Sequence, residues 1–142
     1  MKIYAEPSFL VSLYIPDANS LAALQTMETA AGDLFITALG EFEILNAFRL
    51  RVFRREASPA AAHSALTNFE KDMREGTLRV RELSDSVFER ARQLSQQTTA
   101  KLGTRSADLL HVAATLELGA DYLFSFDQKQ RKLARSLHLK LN

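Results

Sequence analysis

Cysteine is absent from this 142-residue chain. Its absence excludes a disulfide framework and any thiolate metal site, and it fits a reducing compartment. The chain also lacks an apolar run near the roughly 20 residues that span a bilayer, and its N-terminus lacks the charged, apolar and cleavage regions of a signal peptide. We therefore expect a cytoplasmic protein with no membrane partner.

Length and composition indicate one globular domain. A chain of 142 residues is about the modal size of a domain and buries roughly two-thirds of its unfolded surface. The hydrophobic fraction of 46% and the charged fraction of 25% argue against disorder. A net charge of +1 favours no class of partner. We expect residues 1–142 to form a single domain.

Short apolar runs alternate with helical segments along the chain. The runs predict strands at Lys2–Ala5, Asp33–Thr37, 77–83 and 121–126, with a short last strand at 138–141. Helices are expected between them, including one over 84–100 and others that end at Gly76 and Gly119. The alternation predicts an α/β fold with helices on both faces of a parallel sheet. Ligands bind such sheets outside the carboxyl ends of the strands.

Acidic residues are predicted at that edge of the sheet. Glu6 ends the first strand, Asp127 ends the strand over 121–126, Glu41 or Glu43 follows the second strand, and Asp108 lies early in a helix. Convergent carboxylates hold hard cations such as Mg²⁺ or Mn²⁺, which activate water for attack on a phosphodiester. The sequence offers no phosphate loop, thiol or GxSxG elbow as a competing centre.

Each acid also has a structural interpretation. Asp127 and Gln130 form a D-x-x-Q pattern, in which the aspartate caps the next helix and the glutamine reaches back. Asp108 lies where the helix dipole favours a carboxylate. Glu43 shares a mainly apolar face and so needs a partner if buried, but periodicity alone separates it poorly from Glu41.

Three stretches together resemble the PIN-domain nucleases, and specifically the VapC-type toxins of prokaryotic toxin–antitoxin pairs. They are IYAEPSFLVSLY, ITALGEFEILNAF and TRSADLLHVAATLELGADYLFSFDQKQRKLA, and the resemblance runs along the whole chain. The family's second motif has an acid directly before Leu or Ile, which selects Glu43 over Glu41. The third stretch matches an R-x-x-D-x-x-H-x-A-A run and a T-F-D-like strand end, which places the remaining acids at Asp108 and Asp127.

The resemblance implies a three-layer α/β/α PIN-like fold with a central parallel sheet. It also implies an endoribonuclease whose Glu6, Glu43, Asp108 and Asp127 hold Mg²⁺ or Mn²⁺, an RNA substrate, a VapB-type antitoxin and a homodimer. His111 is expected to be a hydrogen-bonded core residue. The alternatives are a catalytically impaired PIN module that binds RNA or an antitoxin without cleavage, and an unrelated flavodoxin-like domain.

Glu6 departs from the family, whose first acid is ordinarily aspartate. Glutamate is longer by about 1.5 Å, whereas a catalytic group tolerates a displacement of only about 0.5 Å. Pro7 favours extended dihedrals at Glu6 and suits the first position of a helix. Glu6 could therefore bind metal directly, bind it through water, or leave the site weakened.

Five polar residues are candidates for RNA contact. An arginine-rich helix could bind phosphates, although such a run is more often a solvated helix face. The candidates are Ser8, Arg49, Arg51, Arg54 and Arg55.

Overall fold

Five strands form one parallel sheet in this computed structural model, which describes residues 1–142. They are β1 (Lys2–Ala5), β2 (Asp33–Thr37), β3 (Leu78–Arg81), β4 (Tyr122–Phe124) and β5 (Lys140–Leu141). The strand order is β3-β2-β1-β4-β5, and all neighbours are parallel. The chain builds β2 and β3 on one side of β1 and then crosses to β4 on the other. The topological switch point therefore lies between β1 and β4.

Eight α-helices and one π-helical segment connect the strands. The α-helices are α1 (Pro7–Tyr14), α2 (Ser20–Thr29), α3 (Ala38–Phe53), α4 (Pro59–Arg74), α5 (Asp85–Leu94), α6 (Ala100–Leu102), α7 (Ser106–Glu117) and α8 (Gln128–Ser136). The π-helical segment is Ser95–Thr99. It interrupts the single helix that the sequence predicted over 84–100. None of the helices combines the length and apolarity needed to cross a membrane.

Helices cover both faces of the sheet, which confirms the predicted α/β/α architecture. Alternate residues of the central strand supply two separate cores, because successive side chains of a strand point to opposite faces. Ile3 and Ala5 pack in a cluster with buried residues of α1 to α4. Tyr4 packs in a second cluster with buried residues of α5, α7 and α8.

The structure has β3 and β4 shorter than predicted. β3 pairs only with β2, and its ladder ends where β2 ends at Thr37. Beyond Phe124, the backbone N–H of Ser125 donates to Asn142 Oδ1 at 2.9 Å and that of Phe126 donates to Ser8 Oγ at 2.9 Å. Side chains thus replace the strand partner there, and the chain leaves the sheet at the edge where the acids lie.

Candidate carboxylate site

Glu6 lies at the switch point of the sheet. It follows β1 in extended conformation and is the N-cap of α1, with Pro7 at the first helical position as predicted. Its N–H donates to the carbonyl of Phe124 in β4 at 2.9 Å. The sequence pattern therefore brings this acid to the junction of two neighbouring strands.

Glu6 is only 4% exposed, and its carboxyl group is held by neighbouring donors. Its Oε2 accepts from the Ser8 N–H at 2.9 Å, from the Ser8 hydroxyl, and from the Ser125 hydroxyl at 3.2 Å. Burial raises the pKa of Glu6 and outweighs the lowering effect of these hydrogen bonds from Ser8. The Ser8 hydroxyl, a candidate RNA contact, is instead directed at this acid.

Asp108 is joined to Glu6 through a buried amide. It lies in the first turn of α7 and is 8% exposed. Its Oδ1 accepts from Gln130 Nε2 at 3.0 Å, and Gln130 Oε1 lies 3.1 Å from Ser125 Oγ, which also contacts Glu6. The two acids come from chain segments about 100 residues apart and meet through one glutamine and one serine.

Asp127 lies beside this pair but its carboxylate caps a helix. It is the N-cap of α8 and accepts from the Gln130 N–H at 2.9 Å, as the structural interpretation predicted. The Gln130 side chain does not reach back to the start of the helix, as the D-x-x-Q pattern predicted, because it donates to Asp108. The Asp127 N–H lies 3.2 Å from Ser8 Oγ and 3.1 Å from Ser125 Oγ. Its backbone therefore borders the donors that hold Glu6.

Glu43 belongs to α3 and lines the same groove as Ser8. Its side chain is 31% exposed, and its Oε1 lies 2.6 Å from Nε2 of His111 on α7. His111 is one turn beyond Asp108, 1% exposed, and 2.7 Å from the Tyr4 hydroxyl through Nδ1. It is a hydrogen-bonded core residue as predicted. Glu41 forms no hydrogen bond or salt bridge with His111, and the assignment of Glu43 as the site acid stays a prediction.

The oxygen-rich donor set fits a hydrated divalent ion better than a closed cage. No Lys or Arg forms a salt bridge with Glu6, Asp108 or Asp127. No three His, Cys, Asp or Glu side chains are close enough to form a ready metal site as placed. Mg²⁺ keeps several waters and is often held by one or two carboxylates. Glu6 and Asp108, linked by hydrogen bonds, meet that requirement.

The four candidate arginines differ in their surroundings. Arg51 forms a salt bridge with Asp17 at 3.0 Å, so its guanidinium is already engaged. Arg49 is exposed on α3. Arg54 and Arg55 follow the helix, are exposed, and form no salt bridge. None of these three is held by a carboxylate, although the Arg49 guanidinium donates to the Leu45 carbonyl at 3.3 Å.

Four further side chains organise the site, and sequence reasoning assigned that role to none of them. Gln130 enters the sequence pattern only as part of a helix cap. Ser125 is the first residue of the T-F-D-like strand end, and Tyr4 is the buried residue of β1 that alternation places on the α7 face. His111 was expected in the core without its partner Glu43, which is 68 positions away in sequence.

The fold and these acids define a class of α/β/α proteins with a carboxylate site at the carboxyl edge of a parallel sheet. The chain belongs to the PIN domain family, whose sequence profile matches residues 3–136. Membership in this family supports nuclease activity of this chain in general terms. No curated protein matches the chain in sequence.

Solved structures similar in fold include a toxin and a toxin–antitoxin complex. VapC20 of Mycobacterium tuberculosis, a sarcin-ricin loop cleaving toxin, is 17% identical with a TM-score of 0.69, covering 92% of this chain and 93% of that one. FitAcB from Neisseria gonorrhoeae is 12% identical with a TM-score of 0.70, covering 98% and 95%. A toxin–antitoxin complex from Klebsiella pneumoniae is 15% identical with a TM-score of 0.63, covering 90% and 88%.

Proposed function

We propose that residues 1–142 act as one PIN domain, a Mg²⁺- or Mn²⁺-dependent endoribonuclease of the VapC toxin type. The observation that carries the proposal is the pair Glu6 and Asp108, buried at 4% and 8% exposure with no basic side chain bridged to either. Buried carboxylates need a positive partner to stay ionised. A divalent cation supplies that charge at the place where α/β sheets bind ligands.

The chain's own residues prepare this site. Glu6 and Asp108 would hold the ion. Glu43, whose side chain is 31% exposed, and Asp127 would supply further carboxylate ligands. Ser8 and Ser125 hold Oε2 of Glu6 by hydrogen bonds. A catalytic site needs its groups to be held in place in this way. A divalent cation supplies Lewis acidity and compensates the charge that develops as water attacks a phosphodiester.

Two observations favour a second candidate, a PIN module that binds RNA or an antitoxin without cleavage. Glu6 stands where the family ordinarily has aspartate, and no three acids form a ready metal site. This module would bind RNA in the presence of a chelator and show no metal-dependent turnover. Turnover of RNA with added metal therefore separates the two candidates.

The test compares metal binding and RNA cleavage in the chelator-stripped wild type, Asp108→Asn and Asp33→Asn. Asp33 is a matched control, because it is exposed at the start of β2 and pairs only with Arg79 at 3.8 Å. We expect Mn²⁺ uptake by titration calorimetry, and Mn²⁺-dependent cleavage of total RNA, in the wild type and Asp33→Asn. Asp108→Asn should lose both while its circular dichroism is unchanged. Cleavage retained in Asp108→Asn would refute the nuclease proposal.

Phosphate binding is assigned to the three arginines without salt bridges. Arg49, Arg54 and Arg55 would bind the RNA backbone, and the salt dependence of binding grows with the number of phosphates that a protein neutralises. Their replacement by alanine should weaken RNA binding and flatten its dependence on salt. An unchanged slope would show that this end of α3 is only a solvated face.

An antitoxin segment is assigned to the groove between α1 and α3. The groove has a volume of about 360 Å³ and is lined by Pro7, Val11, Phe42 and Leu50 beside Glu43. Phe42 is 69% exposed, which fits a protein partner better than solvent. Co-expression with the products of the neighbouring genes tests this, and sedimentation equilibrium of the isolated chain tests the proposed homodimer. A monomer at micromolar concentration would contradict the latter.

A further inference from the structure

Behind Glu43 runs a line of buried polar side chains that the metal site alone does not explain. Thr37, at the end of β2, places Oγ1 3.2 Å from the Tyr4 hydroxyl. The same hydroxyl lies 2.7 Å from His111 Nδ1, and His111 Nε2 lies 2.6 Å from Glu43 Oε1. Thr37, Tyr4 and His111 are each 0–1% exposed, so no water competes for these bonds.

The chemistry of the groups gives this line one direction. An ionised carboxylate only accepts, so His111 donates to Glu43 through Nε2. In the tautomer that carries its proton on Nε2, Nδ1 accepts, and the Tyr4 hydroxyl 2.7 Å away is the donor. Burial raises the pKa of the Tyr4 phenol, which keeps the proton that it donates. The Tyr4 oxygen in turn accepts from Thr37, so all the buried groups are satisfied in a single arrangement.

This line joins the two helical layers across the edge of the sheet. Tyr4 packs on the α7 side of β1, whereas Glu43 belongs to α3 on the other face. Gly40 permits the close approach, since a Cβ there would overlap the Ile36 side chain and lie 3.7 Å from the His111 ring. The partner of Glu43 is therefore fixed by a strand and a helix of the opposite layer.

Glu43 needs such a partner more than the other acids. Its side chain is 31% exposed, whereas Glu6 and Asp108 are held in the buried cluster. A half-exposed glutamate loses rotamer entropy when it binds a ligand, and one fixed oxygen removes part of that cost in advance. The contact with His111 uses Oε1 and leaves Oε2 unbonded.

We propose that Tyr4, acting through His111, is a positioning residue that holds Glu43 in the orientation needed to bind the metal ion. The inference rests on the proposed metal site. It adds Tyr4, which is not an acidic residue, to the side chains that shape that site. Hydrogen-bonded partners behind metal ligands commonly change metal affinity by about 10–100-fold when they are removed. Tyr4→Phe deletes only the hydroxyl and keeps the ring in the core.

The first measurement is Mn²⁺ titration calorimetry on the wild type, Tyr4→Phe and Tyr14→Phe. Tyr14 is a matched control, since its partly buried hydroxyl donates to Asp72, away from the site. Tyr4→Phe should bind Mn²⁺ about 10-fold or more weakly, and Tyr14→Phe should bind it as the wild type does. Equal losses in both variants would mean a general effect on stability and would overturn the inference.

A double-mutant cycle separates positioning from packing. In a Glu43→Gln background, Tyr4→Phe should cause no further loss of Mn²⁺ affinity, because the oriented carboxylate is already gone. A loss of the same size in both backgrounds would overturn the inference. If the wild type itself binds no Mn²⁺, the proposed function fails as well, whereas Mn²⁺ binding that Tyr4→Phe leaves unchanged overturns this inference alone.

The nitrogen-15 resonances of His111 give a readout that needs no metal. His63→Gln and His138→Gln variants assign the signals, since the chain has three histidines. We expect a single tautomer protonated at Nε2 in the wild type and loss of that preference in Tyr4→Phe. A tautomer protonated at Nδ1 in the wild type would contradict the direction of the hydrogen bonds and overturn the inference.

Discussion

Glu6 and Asp17 are two carboxylates with nearly the same local donors and different charge environments. Glu6 accepts from the backbone N–H two residues on and from serine hydroxyls. Asp17 accepts from the Asn19 N–H at 2.8 Å and from the Ser12 hydroxyl at 2.8 Å. Asp17 also has Arg51 at 3.0 Å, whereas no basic side chain is bridged to Glu6.

The two pKa values move in opposite directions as a result. Burial raises the pKa of Glu6. Partial burial also tends to raise the pKa of Asp17. Hydrogen bonds from Asn19 and Ser12 and the charge of the Arg51 guanidinium lower this pKa by more than burial raises it, so the net shift is downward. The chain thus supplies Asp17 with a cationic partner and places no Lys or Arg in a salt bridge with Glu6, where the proposed metal ion would compensate the charge.

The largest expected effect comes from giving the Glu6 cluster a cation of its own. Gln130→Lys places an ammonium group beside Asp108 and close to Glu6, where the buried amide now lies. The ammonium should take over the charge balance, lower Mn²⁺ affinity by more than about 100-fold and abolish cleavage. Titration calorimetry and the RNA assay measure both.

Gln130→Met is the matched control for this change, because it has similar length and no charge. It removes the donor to Asp108 and should weaken Mn²⁺ binding by about 10-fold. Its melting temperature should lie below that of Gln130→Lys, since the two acids would lack both an amide and a cation. Equal loss of Mn²⁺ affinity in the two variants would show that the amide matters and the added charge does not.

Glu6→Asp is expected to have a smaller effect. The shorter side chain withdraws the carboxylate by about 1.5 Å from the Ser125 hydroxyl, which now lies 3.2 Å from Oε2. A displacement beyond about 0.5 Å is enough to impair a catalytic group, so we expect up to roughly a 100-fold loss of cleavage rate. Faster cleavage would instead show that the longer acid impairs the site.

Glu41→Asp is the control for that shortening. Glu41 lies in the first turn of α3 and makes no side-chain contact with the site. The same loss of one methylene there should leave Mn²⁺ affinity and cleavage unchanged.

Sequence patterns predicted the parts of the fold that depend on local signals. β1 and β2 have the predicted bounds, because each is a short, mainly apolar run followed at once by a helical segment. Gly76 and Gly119 end their helices with φ of 75° and 66°, values that glycine adopts without strain. The position of Glu6 at a strand end followed from the same local pattern.

The contacts between distant segments were not predictable in this way. Gln130 donates to Asp108 across 22 positions, and His111 meets Glu43 across 68. A periodic pattern assigns a face to a residue but does not say which side chain of another element will meet it. Arg51 shows the same limit, because an arginine-rich helix suggested phosphate contact and the structure pairs this residue with Asp17.

Asp17→Asn should have the smallest effect and should leave the metal site unchanged. It weakens the bond to Arg51 and should cost about 1 kcal/mol of unfolding free energy at pH 7, measured by urea denaturation. Since the folded pKa of Asp17 is below its ordinary value of 3.8, the carboxylate stabilises the protein above that value. The difference from the wild type should therefore shrink as the pH falls through the lowered pKa. Mn²⁺ affinity should stay within about twofold of wild type, because Asp17 does not belong to the group of acids linked by Gln130 and Ser125. A loss as large as that of Gln130→Met would show that Asp17 and Glu6 are coupled, so that their charge environments could not be treated as independent.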